Sequence, residues 1–449
     1  STGMNIRFYH AWLLTMQHGC AVQEDGELWV KGNRIEYAGP PKESHESWDR
    51  EIDAGGDLLM PGFKNAHTHS AMTFLRSYAD DLPLLQWLQK QVFPMEAKLT
   101  GEDVYHLSKL AILEYLTSGI TANFDMYFYP DQIAQASVDC GFRTVLCSSM
   151  NDFVSSLEEM EENYHKFQNF SDLIGYCLGF HAEYTTSKPL LEGVAALAEK
   201  LDAPVFMHNS ETADEVAQCI SRYGVTPTVL FDRLGIFDHG GGGFHCVHMT
   251  DEDLDIFARR SLFVVTNPGS NSKLASGIAR LTEMCEKGIP VAIGTDGPAS
   301  NNCLDMFREM FLATALQKLR TNNAAAMDAY EVLRMACVNG AHAMGLSDCD
   351  MLAPGKLADL VLIDLHQPNM QPLNNIAKNL VYSGSKQNVC LTMVNGKILY
   401  EDGQFHIGES PESIYAHANQ IMERLAGAAR PCTPAGERPA RGPSPFVTS

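Results

Sequence analysis

A chain of 449 residues is too long for one small module. Its length suits about three domains, or one α/β barrel with a small attached domain. Apolar residues at 45% and charged residues at 20% supply a large core and exclude overall disorder. The 33 Lys and Arg against 55 Asp and Glu give a net charge of −22, which argues against a nucleic-acid groove and against adhesion to an anionic membrane.

Ser1-Thr2-Gly3 reads as a tag remnant ahead of Met4, and no signal peptide or membrane span is expected. The first elements, within 4–57, are short alternating strands with turn signals such as Gly32-Asn33. The chain then changes character. Apolar runs at 58–63, 120–127, 143–149, 175–181, 203–208, 243–248, 262–266 and 289–294 read as strands. Between them lie stretches with helical spacing, such as 101–118 and 190–201. Eight βα units predict a (β/α)8 TIM barrel over 58–354. A doubly wound sheet is the runner-up, but the Gly-rich fingerprint that usually follows its first strand is missing. Short strands return over 355–405, so the two chain ends are expected to build one composite β-sandwich domain. A helix over 414–425 and a disordered tail from Pro431 complete 406–449. Twelve scattered cysteines, with no C-x-x-C pair, read as reduced thiols in a cytoplasmic protein.

The chemistry-bearing residues sit at strand ends. His67-Thr68-His69 closes the first strand candidate, and residues i and i+2 of a strand point to one side. His208 ends the fifth candidate, His245 lies in the sixth, and Asp296 follows the eighth. Each has a bland alternative, such as a core histidine or a capping aspartate. Together they would surround one mouth of a closed barrel, where barrel active sites lie. Three histidines compete on the sixth strand. His239 falls in the loop before the glycine run 240–243, and alternation turns His248 away, which favours His245.

This ordered set resembles the amidohydrolase superfamily in its cytosine deaminase-like branch, and most of all the methylthioadenosine/S-adenosylhomocysteine deaminases. The resemblance runs from about Leu58 to Gly403. It rests on Pro61-Gly62-Phe63 with His67-Thr68-His69, His208 with Glu211, His245-Cys246-Val247-His248, Asn267-Pro268-Gly269-Ser270-Asn271, Gly294-Thr295-Asp296-Gly297-Pro298-Ala299-Ser300-Asn301, and Pro354-Gly355-Lys356-Leu357-Ala358-Asp359-Leu360-Val361. It implies one divalent metal, usually zinc and sometimes iron, held by His67, His69, His208 and Asp296. Glu211 and His245 match the proton-transfer pair. Asp296 would take a proton from the attacking water, Glu211 would protonate a ring nitrogen, and His245 would steady the oxyanion. The fourth strand carries no lysine before Lys188 that could bridge a second metal.

The resemblance also marks Glu96 for ribose hydroxyls, His181 for the purine ring and Trp87 for the pocket wall. Glu96 reads equally well as a solvated residue opening the next helix, and Trp87 and His181 as packing. One departure stands out: after Arg143 there is no arginine before Arg222, where relatives acting on S-adenosylhomocysteine hold its carboxylate. The expected activity is therefore hydrolytic deamination of an uncharged adenine nucleoside. Alternatives are guanine or another cyclic amidine, hydrolysis of a ring amide, and a non-catalytic binding barrel. The expected partner is a small heterocycle, not a nucleic-acid polymer or a membrane, and the family analogy leaves a homo-oligomer open.

Overall fold

A computed structural model describes residues 3–44, 46–78 and 80–427. Eight strands form a parallel sheet in sequence order: Phe63–Thr68, Ile120–Met126, Arg143–Cys147, Ile174–Phe180, Val205–Asn209, Gly241–His245, Phe263–Thr266 and Val291–Ile293. Helices such as Gly101–Thr117 and Lys188–Leu201 return the chain between them. The first of these starts on a reciprocal cap, in which the Thr100 hydroxyl accepts from Asp103 N–H and the Asp103 carboxylate accepts from Thr100 N–H.

The eighth strand comes back against the first, so the barrel is nearly closed. Asp296 N–H donates to His67 O at 3.0 Å. Thr295 N–H donates to Asn65 Oδ1 at 2.9 Å. Gly294 permits the approach, since a Cβ there would lie 2.7 Å from both His67 N and His67 O. The interior below the mouth is filled by Phe124, Phe206 and Phe244, whose ring centroids lie 5.2–5.6 Å apart. The barrel is a packed core open at one end.

The chain ends meet in one mixed nine-stranded sheet. In spatial order its strands are Gln404–Phe405, Lys397–Glu401, Val389–Val394, Leu360–Ile363, Leu58–Pro61, Asn5–Leu13, Gln23–Lys31 and Arg34–Gly39, with Arg50–Asp53 also paired to Asn5–Leu13. The expected sandwich is thus a single connected sheet. The run 58–63, read as one strand, is divided. Leu58–Pro61 pairs with Leu360–Ile363 in the composite sheet, and Phe63–Thr68 opens the barrel.

The sixth barrel strand starts earlier than the run 243–248 expected for it: Gly241 and Gly242 already belong to it. A Cβ on Gly241 would meet Val205 O at 2.0 Å, and one on Gly242 would meet Phe263 O at 2.1 Å. Only bare backbone fits between those neighbours.

The C-terminal helix is Pro411–Ala426, and the tail expected beyond Pro431 lies outside the described residues. The eleven described cysteines are all free. No helix among the described residues is long and apolar enough to cross a membrane.

Candidate active site

The barrel strands deliver their last side chains to one mouth. His67 and His69 come from the end of the first strand, His208 from the fifth, His245 from the sixth, and Asp296 from the turn after the eighth. Three of these turns hold non-glycine residues with positive φ: Ser210 at 53°, His245 at 77° and Asp296 at 58°. Such backbone is uncommon outside glycine and clusters at functional sites.

The imidazoles form a buried group, with ring centroids 4.8 Å apart for His67 and His69, 4.9 Å for His67 and His208, and 5.4 Å for His69 and His208. His69 Nδ1 lies 2.5 Å from Met126 O, and His208 Nδ1 lies 2.6 Å from His181 O. A carbonyl only accepts, so Nδ1 carries a proton in both rings, and Nε2 is the atom left to face the mouth. His67 stacks on Phe244 at 4.0 Å, and neither of its ring nitrogens has a hydrogen-bond partner. Burial drives its pKa down to about 3, so it is neutral. Asp296 Oδ1 stands 3.4 Å from His67 Nε2 and 3.1 Å from His69 Nε2.

A buried imidazole with no partner is costly unless something occupies its lone pair. The ligand atoms of His67, His69 and Asp296 all lie within 4.8 Å of one another. Nitrogen and carboxylate donors whose second ring nitrogen is tied to a carbonyl are the arrangement found around divalent metals. The residues present fit such an ion.

Beside this cluster, His245 Nε2 is 3.4 Å from Glu211 Oε1 and 3.6 Å from Asp296 Oδ2. The Asn271 amide donates to His245 Nδ1 at 2.8 Å, which leaves the His245 proton on Nε2, facing the mouth. Burial, reinforced by the nearby Asp296 and Glu215 carboxylates, pushes the Glu211 carboxyl well above its ordinary range. That shift favours its proton-bearing form. Asp296 Oδ2 accepts from the hydroxyls of Ser270 at 2.7 Å and Ser300 at 3.1 Å.

A cleft opens over these groups and includes Trp87, Glu96, Tyr127, His181 and Tyr184 in its wall. All three substrate-contact candidates thus face the same space as Glu211 and Asp296. Burial raises the Glu96 carboxyl to about 7, opposed by its hydrogen bond with Tyr127. His181 also lends its carbonyl to His208, a main-chain role that no side-chain pattern signals. A second cavity of about 650 Å³ adjoins the first, sharing Phe93, Glu96, Tyr127 and Asn151 with it.

The competing histidines are elsewhere. His239 is held between Glu199 Oε2 and Asp202 Oδ1, both at 2.7 Å, before the sixth strand begins. His248 Nε2 donates to Ser276 O at 2.6 Å. Ser270, Asn271 and Ser300 are supporting residues that sequence reasoning missed. Their signal lay in the loop motifs after the seventh and eighth strands.

Comparison with known proteins adds four findings. The model of the amidohydrolase family matches residues 58–399. A 5-methylthioadenosine/S-adenosylhomocysteine deaminase of Pelotomaculum thermopropionicum is 39% identical over 428 residues, 94% of this chain and 99% of the relative. A 5′-deoxyadenosine deaminase of Methanothermobacter thermautotrophicus is 38% identical over 392 residues, 86% of this chain and 91% of the relative. Among solved structures, a zinc-bound adenosine deaminase from Xanthomonas campestris superposes with a TM-score of 0.89 at 33% identity, covering 94% of this chain and 99% of that one.

Proposed function

Because the chain belongs to the amidohydrolase family, we propose that it removes ammonia from the purine ring of an adenine nucleoside, of the 5′-deoxyadenosine, methylthioadenosine or adenosine type. It is an enzyme, a hydrolase that depends on a divalent metal. The observation that carries the reading is the convergence at one mouth of a buried imidazole cluster, in which His67 has no hydrogen-bond partner, with the buried Glu211 carboxyl.

In this reading His67, His69, His208 and Asp296 hold the metal, proposed to be zinc. A divalent metal held there lowers the pKa of a water and supplies a nucleophile at neutral pH. Asp296 accepts the proton that the attacking water gives up. The Ser270 and Ser300 hydroxyls fix its carboxylate while it does so. Glu211 passes its proton to the ring nitrogen beside the attacked carbon, which makes the ring a better electron acceptor. His245 donates Nε2–H to the oxygen that becomes negative as the carbon turns tetrahedral. Asp296 then returns its proton to the amino group, the C–N bond breaks and ammonia leaves, while the remaining hydroxyl proton passes to the Glu211 carboxylate, so that a ring carbonyl remains and both carboxyl groups are restored.

Trp87 and His181 would bound the purine, and Glu96 would receive ribose hydroxyls. The adjoining cavity would take the 5′ substituent. Tyr129, Phe153, Val154 and Tyr176 contribute to its wall. The segment 144–165 carries neither Lys nor Arg. Of the nearby lysines, Lys98 donates to Leu425 O at 3.2 Å and Lys166 pairs with Asp131 at 2.6 Å. A buried carboxylate needs a cation or several donors, so a carboxylate-bearing substituent is disfavoured.

The same reading divides the chain into a composite β-domain (4–57 and 355–405), the barrel (58–354) and a C-terminal segment (406–449). It has the enzyme act on a free nucleoside in the cytoplasm, without a nucleic-acid polymer or membrane as partner, and it is compatible with a homo-oligomer. The test is mutational. His208→Ala loses metal and turnover together, whereas Glu211→Gln keeps metal and loses turnover. Turnover retained by the Glu211 variant would overturn the mechanism.

A further inference from the structure

Glu309 lies on the helix Met306–Thr321 and is 0% exposed. It stands outside the His, Asp and Glu cluster at the mouth. Its carboxylate nevertheless joins the two loops that support that cluster. Oε2 accepts the Gly269 N–H at 2.8 Å, and Oε1 accepts from Asn301 Nδ2 at 2.5 Å. Asn301 Nδ2 also donates to Thr295 O at 2.8 Å. A Cβ on Gly269 would fall 2.3 Å from Glu309 Oε1, so the loop presses directly on the carboxylate.

Between them, the two loops carry the groups that steady Asp296 and His245. The loop after the seventh strand brings Ser270 to Asp296 Oδ2 and Asn271 to His245 Nδ1. The loop after the eighth brings Ser300 to the same Asp296 oxygen. Gly269 is next to Ser270, and Asn301 is next to Ser300. One carboxylate therefore sets the spacing between the hydroxyls that clamp Asp296.

We propose that Glu309 is a positioning residue: by bonding Gly269 N–H and the Asn301 amide at once, it fixes the Asp296 carboxylate and the His245 ring in their working orientation. The proposal rests on the roles given above to Asp296 and His245. The chemistry of the pairing accounts for the acid. Two N–H donors arrive from two different loops, each accepted by one carboxyl oxygen, and these bonds oppose the burial that pushes the Glu309 carboxyl up to about 8. Glutamine has nearly the same volume but only one acceptor oxygen. In Glu309→Gln, the new NH2 faces either the Gly269 N–H or the Asn301 NH2. If the Asn301 amide turns over to escape this, it gives up its bond to Thr295 O.

The test compares the metal-loaded wild type with Glu309→Gln and Asn301→Ala, measuring kcat and KM on adenosine, zinc affinity by competition with a chelating dye, and the melting temperature. Asp253→Asn is the control. Asp253 is also 0% exposed and holds the Thr226 hydroxyl at 2.6 Å and Thr250 N–H at 3.0 Å, with no bond to Asp296, His245 or the two loops that support them. Glu309→Gln and Asn301→Ala are expected to lose roughly 10- to 100-fold in zinc affinity or kcat, the scale for removing an outer-shell support, with KM nearly unchanged. Asp253→Asn should lower the melting temperature yet leave kcat and zinc affinity alone.

Wild-type kcat and zinc affinity in Glu309→Gln would overturn the proposal. So would losses matched by the Asp253 control, which would make Glu309 a general stability residue. Should Glu309→Gln fail to fold, Asn301→Ala cuts one arm of the same link and decides by the same criteria. The zinc titration needs no substrate. A wild type that turns over no adenosine would therefore refute the nucleoside reading, while the zinc affinities of the variants would still decide for or against Glu309.

Discussion

Replacing Asp359 with Asn removes the charge that joins the foot of the barrel to the composite sheet. Arg143 begins the third barrel strand and Asp359 precedes Leu360–Ile363 of the sheet. The pair is bidentate, with Arg143 Nε 2.6 Å from Asp359 Oδ2 and Nη2 3.1 Å from Oδ1. Their side chains are 3% and 0% exposed. Asp359 Oδ1 also accepts Asn395 N–H at 2.8 Å. The substitution keeps the volume and leaves a buried guanidinium without its counter-charge, with the buried Lys64 ammonium nearby.

Breaking a buried pair from one side costs about 3–5 kcal/mol. With an unfolding entropy of about 2.1 cal/mol/K per residue, a chain this long melting as one unit should lose about 3–5 °C. The pH dependence carries a definite sign. Burial alone would raise the Asp359 carboxyl, but Arg143, with help from Lys64 and the Asn395 N–H, holds it below its ordinary value. A carboxyl depressed in the folded state stabilises above its unfolded pKa of about 3.9, and that contribution is lost as pH falls through the folded value. The melting gap between wild type and Asp359→Asn should thus be constant from about pH 5 to 8 and narrow only in stronger acid. Thermal melts by circular dichroism from pH 8 down into that acid range provide the check, with kcat measured well below the melt. The pair lies at the end of the barrel opposite the mouth, so kcat should be unchanged. An unchanged melting temperature at pH 7, or a gap that does not narrow in acid, would rule out this role for the pair.

Two further predictions concern the site. His208→Ala should bind no stoichiometric metal and show no turnover, while Glu211→Gln should bind one metal per chain and lose about 10²- to 10⁴-fold in kcat, the range for a general acid; metal analysis and steady-state rates separate the two. Gly294→Ala should open the barrel seam, because its Cβ would meet His67 N and O at 2.7 Å and Asn267 Oδ1 at 2.6 Å. A cost of about 1–3 kcal/mol in chemical denaturation, with weakened metal binding, is expected. Unaltered metal affinity in that variant would show that the seam does not hold His67 in place.

The barrel is legible in the sequence because each of its strands is a short apolar run bounded by helical spacing. The end of such a run also marks where a side chain meets the mouth, so His67, His208 and Asp296 stand out without knowledge of their neighbours. Legibility fails where pattern and environment part. Leu58 to Phe63 is apolar throughout, and periodicity cannot register that Pro61 ends one sheet and Phe63 starts another, since both halves are buried. Gly241 and Gly242 fall outside the expected strand because glycine usually marks a turn, yet they sit in it, where the Val205 and Phe263 carbonyls leave no room for a side chain.

The supporting residues are hidden for a different reason. Ser270, Asn271, Ser300 and Glu309 are ordinary polar residues in sequence, and their importance lies in what they touch across two loops and a helix. His239 and His248 match His245 in residue type. Only their partners, surface carboxylates for one and a main-chain carbonyl for the other, set them apart.

Hydrolytic deamination of an uncharged adenine nucleoside is tested most directly by ultraviolet absorbance and ammonia release. The zinc-loaded protein would be offered adenosine, 5′-deoxyadenosine, methylthioadenosine and S-adenosylhomocysteine, with guanine and cytosine alongside. Turnover of the three uncharged adenosines is expected, with stoichiometric ammonia and much weaker turnover of S-adenosylhomocysteine. Ammonia from guanine or cytosine alone, or silence across all four adenine nucleosides, would contradict the assignment.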